Sequence, residues 1–279
     1  MGTKTKILSY TNIILLLLSS STQHTQGKKA IIIGATSGMG RATAKLIAQD
    51  GYSVGLVGRR THLLESLEKE ILEHPNTKSI KTYIKAIDVS QHEKAAISLQ
   101  ELITEMGGLD LILISISCYS ELKEAPDIHI SEKKTIDVDL VGFWKIARTA
   151  LDYFEAQKTG HLVAISSISG LRGSAYCPAY CGAKAFISKY LEGVRNKFLQ
   201  QKIPIYVTDI IPGWVDVEHT TFSQMPGTYW VAPVDKAAHQ IYNAIKKKKK
   251  IAYITKRQWL IALLLAITPD WIFNAMGEF

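Results

Sequence analysis

The feature that most constrains the fold is a glycine-rich turn that directly follows a short apolar run near the start of the chain. Residues 29–33 read Lys-Ala-Ile-Ile-Ile, which is typical of a strand buried on both faces. Gly34, Gly38 and Gly40 follow and lead into a helical pattern. Glycine permits the tight turn and lets a pyrophosphate approach the backbone N–H groups of a helix N-terminus. An ordinary strand-to-helix turn is the alternative, but the position at the first strand of an α/β chain favours a nucleotide site.

The rest of the chain alternates between strand and helix patterns, as a parallel sheet requires. With 279 residues, 47% of them hydrophobic, the chain can bury a large core, and no internal repeat or Pro/Ser-rich linker divides it. We predict a single Rossmann-like α/β domain with a doubly wound parallel sheet over residues 27–255. A hydrophobic leader or membrane tether (1–26) precedes it, and an apolar C-terminal extension (256–279) follows. Strands are expected near residues 29–33, 53–58, 80–87, 109–115, 160–166, 203–211 and 250–254.

A serine, a tyrosine and a lysine have a spacing that indicates catalysis. Tyr180 and Lys184 are four residues apart, so they lie on one helix face if Pro178 opens a helix, and Ser167 precedes the tyrosine by thirteen positions. A fixed cation a few Å from a phenol favours the phenolate, which makes the tyrosine a usable acid/base. Ser167 follows a predicted strand and could hold a carbonyl oxygen beside the phenol. A structural role is the alternative, in which the tyrosine packs against the core and the lysine extends its charged end to solvent. The serine and the glycine turn favour a catalytic role for the pair instead.

On these residues the chain resembles the short-chain dehydrogenase/reductase family, from about residue 28 to 255. The family's Thr-Gly-x-x-x-Gly-x-Gly pattern is present with isoleucine in place of threonine, and its catalytic Ser, Tyr and Lys match the trio above. The resemblance implies an oxidoreductase in which Asp88 meets the adenine ring and the Pro212-Gly213 turn lies beside the nicotinamide. The implied cofactor-binding residues are Gly34, Thr36, Ser37, Gly38, Met39, Gly40, Asp88, Tyr180, Lys184, Pro212 and Gly213.

The chain departs from the family pattern in three places. Residues 114–117 (Ile-Ser-Ile-Ser) stand where the family has Asn-Asn-Ala-Gly, and Val217 stands where a threonine is expected. Asp139 replaces the asparagine that often completes a catalytic tetrad, so we treat it as a provisional fourth catalytic residue. Asp is nearly isosteric with Asn but carries charge. These departures keep a second hypothesis open, a catalytically inactive NADP-binding regulatory or scaffold protein.

The end of the second predicted strand indicates the cofactor. An acid there would bind the ribose hydroxyls of NAD and repel a 2′-phosphate, but the chain has Gly58 followed by Arg59 and Arg60. Guanidinium groups bind phosphate well, and we favour Arg59 over Arg60 as the residue that binds the 2′-phosphate. The sequence therefore predicts an NADP-dependent enzyme that moves hydride between the nicotinamide and a carbonyl/alcohol carbon. Tyr180 would donate the proton, Lys184 would hold the ribose and assist the tyrosine, and Ser167 would position the substrate oxygen.

Charge and cysteine content argue against a nucleic-acid-binding protein, a metalloprotein and a disulfide-stabilised protein. The formal net charge is +8, and five consecutive lysines occupy residues 246–250. A lysine run after a helix complements the helix dipole, and no basic groove with interleaved aromatics is evident, so we expect no nucleic-acid partner. No His or Cys cluster has metal-ligand spacing, so we expect no metal. The three cysteines, Cys118, Cys177 and Cys181, are read as small residues in a reducing compartment, with no structural disulfide.

Both ends of the chain are apolar. Residues 7–18 resemble a signal-peptide core, yet export would separate the enzyme from NADPH, so a membrane tether or a wrongly assigned start is favoured over secretion. Residues 260–267 are too few to cross a bilayer, and tryptophans on both sides suit a helix lying at a membrane interface. A tail that packs over the substrate pocket or a subunit partner is equally consistent. We expect a cytoplasmic protein with peripheral membrane contact.

The substrate is expected to be a small molecule that carries a carbonyl or alcohol group. A substrate loop is predicted between Trp214 and Trp230, and its Phe222, Met225 and Tyr229 indicate a lipophilic compound. We also expect a homo-oligomer.

Overall fold

The fold is built on parallel strands, each a short and largely apolar run. The computed structural model describes residues 27–119, 127–217 and 230–275. Within these ranges the strands are β1 (Lys29–Ile33), β2 (Ser53–Gly58), β3 (Thr82–Ala86), β4 (Leu111–Ile114), β5 (Gly160–Ile165), β6 (Ile205–Pro212), β7 (Val215–Asp216), β8 (Ala232–Pro233) and β9 (Ile251–Ile254). Seven of them form one sheet in the order β3-β2-β1-β4-β5-β6-β9, and every pairing is parallel. All seven predicted strands are thereby confirmed, while β7 and β8 form a separate two-residue pairing.

Helices cover both faces of this sheet. They are α1 (Gly38–Gln49), α2 (Thr61–Leu72), α3 (His92–Met106), α4 (Ile128–Thr135), α5 (Phe143–Gln157), α6 (Pro178–Gln201), α7 (Val234–Lys246), α8 (Gln258–Ile267) and α9 (Asp270–Ala275). One apolar core joins the sheet to α3, α5 and α6, and a second joins the other face to α1, α2 and α7. The predicted Rossmann-like doubly wound sheet is confirmed. Its strand order reverses between β1 and β4, so ligands are expected at the carboxyl ends of these strands.

Three shorter helical segments connect these elements within the described ranges. Two are 3₁₀ helices, at Pro75–Thr77 and Ile168–Leu171, and the third is a π-helical segment at Ile136–Gly142. The π segment lies between α4 and α5 and carries Asp139, whose side chain is fully buried. π-Helical turns are rare and occur frequently at functional sites.

The C-terminal helices pack beside the loop that follows β5. Ala262 and Leu265 of α8 join Ile168 and Ile211 in a small apolar cluster. Among the described residues, no helix is both long enough and apolar enough to cross a bilayer. The predictions for residues 1–26, and for Phe222, Met225 and Tyr229, concern positions outside the described ranges.

Candidate active site

The glycine turn lies at the carboxyl end of β1, where the backbone is packed too closely for side chains. Gly34 has φ +88°, and a Cβ on it would collide with the carbonyl oxygen of Ser115 at the end of β4. A Cβ on Gly40 would collide with the carbonyl oxygen of Gly34. The turn is also joined to the second strand, because the N–H groups of Gly34 and Ala35 both donate to the carbonyl of Val57 at 2.9 Å. These contacts make a tight cradle between β1, β2 and β4.

The N-terminus of α1 points its first N–H groups at this cradle without a side-chain cap. Ser37 is the N-cap residue, yet its hydroxyl makes no capping hydrogen bond, and the first turn contains no acidic residue. A helix N-terminus with unsatisfied N–H groups binds negative charge. Val217 lies against the turn, 3.2 Å from where a Cβ on Gly38 would be. The residues present therefore fit the pyrophosphate of a dinucleotide.

Two arginines follow β2, and they lie in different surroundings. The guanidinium of Arg60 donates to the Thr36 hydroxyl at 3.0 Å and to the Ser37 hydroxyl at 3.3 Å, which places it on the glycine turn. Arg59 is close enough to Cys118 to influence its thiol: burial and the charge of Asp139 raise the pKa of Cys118, and Arg59 opposes that rise. A Cβ at Gly58 would lie 2.5 Å from the Thr36 methyl group, so an acidic side chain has no room there.

Asp88 follows β3 beside the end of β2. The N–H of Ile87 donates to the Gly58 carbonyl at 3.1 Å, which joins the two strand ends. The Asp88 carboxylate accepts hydrogen bonds from the N–H and the hydroxyl of Ser90, at 3.0 and 2.7 Å. Asp88 is thus held at the same edge of the sheet as the glycine turn and the arginines.

Tyr180 and Lys184 lie on the first turns of α6, which begins at Pro178 as predicted. The Lys184 ammonium is 5.4 Å from the centre of the Tyr180 ring, and its side chain is almost completely buried. It donates to the carbonyl of Ile116 at 3.2 Å, just beyond β4. Burial alone would lower the pKa of Lys184, but the charges of Asp139 and Tyr180 outweigh burial and raise it. The lysine therefore remains a cation beside the phenol.

Asp139 forms a buried ion pair with this lysine. Its Oδ2 is 3.2 Å from Lys184 Nζ, and its Oδ1 accepts the N–H of Cys118 at 2.7 Å. The Cys118 carbonyl in turn accepts the Thr135 hydroxyl at 2.9 Å. This network joins the segment after β4 to the π-helical segment and to α6. The altered segment 114–117 also contributes to the site, because the Ile116 carbonyl accepts a hydrogen bond from the Lys184 ammonium.

Ser167 begins the 3₁₀ helix after β5. Its hydroxyl oxygen accepts the N–H of Ser169 at 3.1 Å, so its hydrogen remains available to a substrate oxygen. The loop rests directly on α6, since a Cβ at Gly170 would lie 2.8 Å from the backbone of both Lys184 and Ala185. The loop that carries the serine and the helix that carries the tyrosine and lysine are thus packed against each other.

The Pro212-Gly213 turn ends β6 and is covered by the C-terminal segment. The N–H of Gly213 donates to the Ile254 carbonyl at 2.6 Å. The fully buried Gln258 side chain occupies the space that a Cβ on Gly213 would need, and its amide nitrogen donates to the Trp230 carbonyl at 3.1 Å. This turn therefore requires glycine, because any side chain at position 213 would collide with Gln258.

Two further residues belong to this region and were not predicted. The ring of Tyr119 meets that of Tyr180 edge-on, with centroids 5.1 Å apart. Asp209, buried within β6, accepts the hydroxyl of Ser166 at 2.6 Å. Burial raises the pKa of Asp209, while hydrogen bonds from Ser166 and Ser188 oppose that rise. The sequence does contain a signal for Asp209, because an acidic residue within a mostly apolar strand is expected to be buried. A buried carboxylate must be paired, so its partners mark a polar site.

The sheet topology and the glycine turn define a dinucleotide-binding α/β protein of the Rossmann-like class. A sequence model of the short chain dehydrogenase family matches residues 28–225, and the chain belongs to this family of NAD(P)-dependent oxidoreductases. The predicted family membership is confirmed.

Similar proteins agree with this assignment. An uncharacterized oxidoreductase of Mycobacterium tuberculosis (strain CDC 1551 / Oshkosh) is 33% identical over 70% of this chain and 76% of its own length. One from Myxococcus xanthus (strain DK1622) is 26% identical over 90% and 96%. A 7beta-hydroxysteroid dehydrogenase structure superimposes with a TM-score of 0.75 at 26% identity, over 90% of this chain and 97% of that one. A short-chain dehydrogenase/reductase from Mycobacterium ulcerans, at 15% identity and TM-score 0.74, covers 84% and 90% and shares the fold.

Proposed function

We propose that the chain is an NADP-dependent oxidoreductase that interconverts a lipophilic ketone and the corresponding alcohol through Ser167, Tyr180 and Lys184. The observation that carries this proposal is the buried Lys184 ammonium beside the Tyr180 ring, on a helix packed against the Ser167 loop. The cofactor supplies or accepts the hydride when bound. In reduction, the Tyr180 hydroxyl gives its proton to the carbonyl oxygen while Ser167 donates a hydrogen bond to that oxygen. Lys184 stabilises the phenolate that remains.

Asp139 is proposed as the fourth member of this site. Its carboxylate fixes the Lys184 ammonium from the side of the π-helical segment. A neutral partner would leave the buried lysine less stable as a cation. We therefore propose that Asp139 keeps Lys184 charged and in place, without itself contacting the substrate.

The test is turnover by the purified full-length protein with NADPH and a panel of ketones, followed as loss of reduced-cofactor absorbance. Tyr180→Phe keeps the ring and removes only the proton donor, so NADPH binding should persist while most turnover is lost. If Tyr180→Phe reduces ketones at the parent rate, the assigned acid is wrong. If the parent binds NADPH but turns over none of the panel, the inactive regulatory or scaffold hypothesis gains support.

The preference for NADP rests on the surroundings of the glycine turn. Thr36 leaves no room for a side chain at Gly58, where an NAD-type acid would stand. The Arg60 guanidinium is already bonded to Thr36 and Ser37, within the turn that meets the cofactor phosphates. Arg59, which the sequence analysis favoured, is proposed as a second cation that contributes to NADP binding. Guanidinium binds phosphate through several N–H groups at once.

Cofactor affinities measured by fluorescence titration separate the two arginines. We expect the parent to bind NADPH more tightly than NADH. Arg60→Asp should erase the preference, because it puts a carboxylate beside the 2′-phosphate, and Arg59→Asp should at least weaken it. Lys69→Asp, on the last turn of α2, makes the same charge change elsewhere and serves as the control. Equal affinities of the parent for both cofactors would refute the assignment.

The lipophilic substrate is supported by apolar residues around the catalytic loop. Ile168 and Leu171 are the first and last residues of the 3₁₀ helix that follows Ser167, and they pack against the C-terminal helices. The similarity to a 7beta-hydroxysteroid dehydrogenase points the same way. The ketone panel should therefore include steroid-like and long-chain ketones, with small polar ketones as the contrast. Faster turnover of the polar ketones would contradict this part of the proposal.

We propose further that the protein works in the cytoplasm, with peripheral membrane contact through α8 and α9. The outer face of α8 carries Trp259, Leu260, Leu263, Leu264 and Ile267, all exposed, and α9 adds Trp271. Ile267 and Trp271 expose 66% and 74% of their surface. Lys256 and Arg257 precede the helix, which suits anionic headgroups.

Sedimentation with vesicles of phosphatidylcholine and phosphatidylserine tests this contact. The double substitution Leu264→Ser/Ile267→Ser should reduce binding, whereas Leu72→Ser, an equally apolar exposed position on α2, should not. High salt should weaken the charge contribution. Binding that is absent at low salt would refute membrane contact. Sedimentation velocity of the same variants tests the proposed homo-oligomer, and a loss of subunit association in the double variant would assign this face to a second copy.

A further inference from the structure

We propose that Cys177 and Cys181 form an oxidation site, at which a peroxide converts the two thiols into a disulfide that displaces the catalytic tyrosine. The consequence for catalysis rests on the proposed role of Tyr180, whereas the oxidation itself does not. The two cysteines are four residues apart in the chain, and Tyr180 directly precedes the second. Neither is in a disulfide in this structure.

The two sulfur atoms already face each other. Their Sγ atoms are 3.8 Å apart, where a disulfide requires about 2 Å. Cys177 is the N-cap residue of α6, with φ −153° and ψ 57°, so its backbone is outside the helix and can adjust. Cys181 lies one turn later, and its N–H donates to the Cys177 carbonyl at 3.0 Å. Closing the gap requires a shift of about 2 Å, shared between the two side chains and the first turn of the helix.

The environment favours a thiolate at Cys181. A hydrogen bond from the Cys177 thiol lowers the pKa of Cys181 to about 7, although burial opposes this. The first turn of α6 contains no acidic residue, and the positive end of a helix dipole also favours the thiolate. A thiol whose pKa lies near the ambient pH is well suited to attack, because it is both ionised and nucleophilic.

The chemistry needs only a small peroxide. The Cys181 thiolate attacks one oxygen of hydrogen peroxide, the O–O bond breaks, and the products are a sulfenic acid and hydroxide, which takes up a proton to become water. The Cys177 thiol then attacks the Cys181 sulfur, the S–O bond breaks, and a second water leaves. Two thiols are oxidised to one disulfide and one peroxide is reduced to two waters. Both side chains are less than a tenth exposed, so a small oxidant is favoured over bulky thiol reagents.

The disulfide would act on the site through Tyr180. This residue lies between the two cysteines, and its phenol must stay aligned with Lys184 and with the substrate oxygen. A displacement of about 1 Å in a catalytic group can cost about 100-fold in rate. We therefore expect oxidised protein to turn over about 100-fold more slowly, with full recovery on reduction.

The experiment treats reduced full-length protein with hydrogen peroxide and measures intact mass and turnover on the same samples. The parent should become lighter by two hydrogens and lose activity, and dithiothreitol should restore both. Cys181→Ser should keep its mass and its rate in peroxide. Cys177→Ser lacks the second thiol, so it should instead gain oxygen at Cys181 and recover incompletely. Cys118→Ser, which leaves the pair intact, should still lose two hydrogens.

Mass and turnover separate this proposal from the proposed function. Parent protein that retains all its thiols under conditions that oxidise a control dithiol peptide would overturn the oxidation site. So would a Cys181→Ser variant that is inactivated as fast as the parent. A disulfide formed in a protein that shows no turnover before oxidation would uphold the oxidation site and contradict the proposed reaction.

Discussion

Replacing Asp139 with asparagine removes one negative charge from the buried pair with Lys184 and leaves the shape of the side chain nearly unchanged. The two atoms of the pair, Oδ2 and Nζ, are 3.2 Å apart, and both side chains are almost fully excluded from solvent. The asparagine oxygen can still accept the N–H of Cys118, which the carboxylate accepts at 2.7 Å. The amide NH2 then takes the place of Oδ2, so the substitution removes both the negative charge and the acceptor that face Lys184.

The size of the effect follows from the distance and the burial. At 3.2 Å and an effective dielectric constant of about 20, two unit charges attract by about 5 kcal/mol. Removing one partner of a buried pair costs about 3–5 kcal/mol, because the other charge stays buried without compensation. Since Lys184 can still donate to the Ile116 carbonyl, we expect Asp139→Asn to lower the free energy of unfolding by about 3 kcal/mol at neutral pH. That corresponds to roughly 100-fold in the unfolding equilibrium constant.

The loss of unfolding free energy in Asp139→Asn should become smaller as the pH rises. In the parent, the pKa of Lys184 is raised above its ordinary value of 10.5, since Asp139 and Tyr180 outweigh burial. A raised lysine pKa contributes stability that is fully present below the unfolded-state pKa and is lost as the pH rises through the folded-state pKa. In Asp139→Asn the burial effect is no longer outweighed, so the pKa of Lys184 falls below 10.5. The loss of stability is therefore largest at neutral pH and begins to shrink once the pH passes the lowered Lys184 pKa of the variant, below 10.5, whereas the parent keeps its contribution until the pH rises above 10.5.

Urea unfolding followed by tryptophan fluorescence, at pH 7 and near pH 10, measures both quantities. Glu192→Gln is the matched control, because Glu192 pairs with Lys189 at 2.8 Å on an exposed helix surface, and its loss should leave the midpoint unchanged. Equal midpoints for Asp139→Asn and the parent at pH 7 would refute a buried ion pair. A deficit that grows toward high pH would refute the assigned shift of the Lys184 pKa.

Three other outcomes are expected. Gly213→Ala should lower the melting temperature, because its methyl group would collide with the Gln258 side chain, and adding Gln258→Ala should recover part of the loss. Asp209→Asn should change the free energy of unfolding by less than about 1 kcal/mol in urea unfolding, since the amide oxygen can still accept the Ser166 hydroxyl and burial disfavours the charge that is removed. Burial lowers the pKa of His161 to about 4, so the parent should lose about 3 kcal/mol as the pH falls from 6.5 through 4, and His161→Gln should remove most of that loss.

The sheet could be predicted because each strand carries its own signal. The sequence predicts β1 and β2 with their observed bounds, since both are short apolar runs whose end is marked by glycine, Gly34 directly after β1 and Gly58 as the last residue of β2. β6 was placed two residues too early, at 203, because Ile203 and Pro204 continue the apolar run while the chain is still leaving α6. Strand existence follows from local composition, whereas the first paired residue depends on a neighbouring strand.

The contacts made by the site residues were harder to predict from the sequence than the strands. The stretch around Asp139 reads as ordinary helix, and only the packed chain reveals a π-helical segment that turns the carboxylate toward Lys184. The choice between Arg59 and Arg60 depends on the direction in which each side chain leaves the end of β2. Sequence placed both arginines beside the cofactor but could not show that only Arg60 hydrogen-bonds to the glycine turn.

The C-terminal segment illustrates why a deletion cannot test membrane contact. Arg172, one residue beyond the 3₁₀ helix that follows Ser167, donates to the Leu265 carbonyl at 2.9 Å and to the Asp270 carboxylate at 2.7 Å. Gln258 fills the space above the Pro-Gly turn. The inner face of α8 thus supports the loop that carries Ser167, while its outer face is exposed and apolar. Removing the helix would change catalysis and binding together, so only substitutions on the outer face can separate a docking role from support of the site.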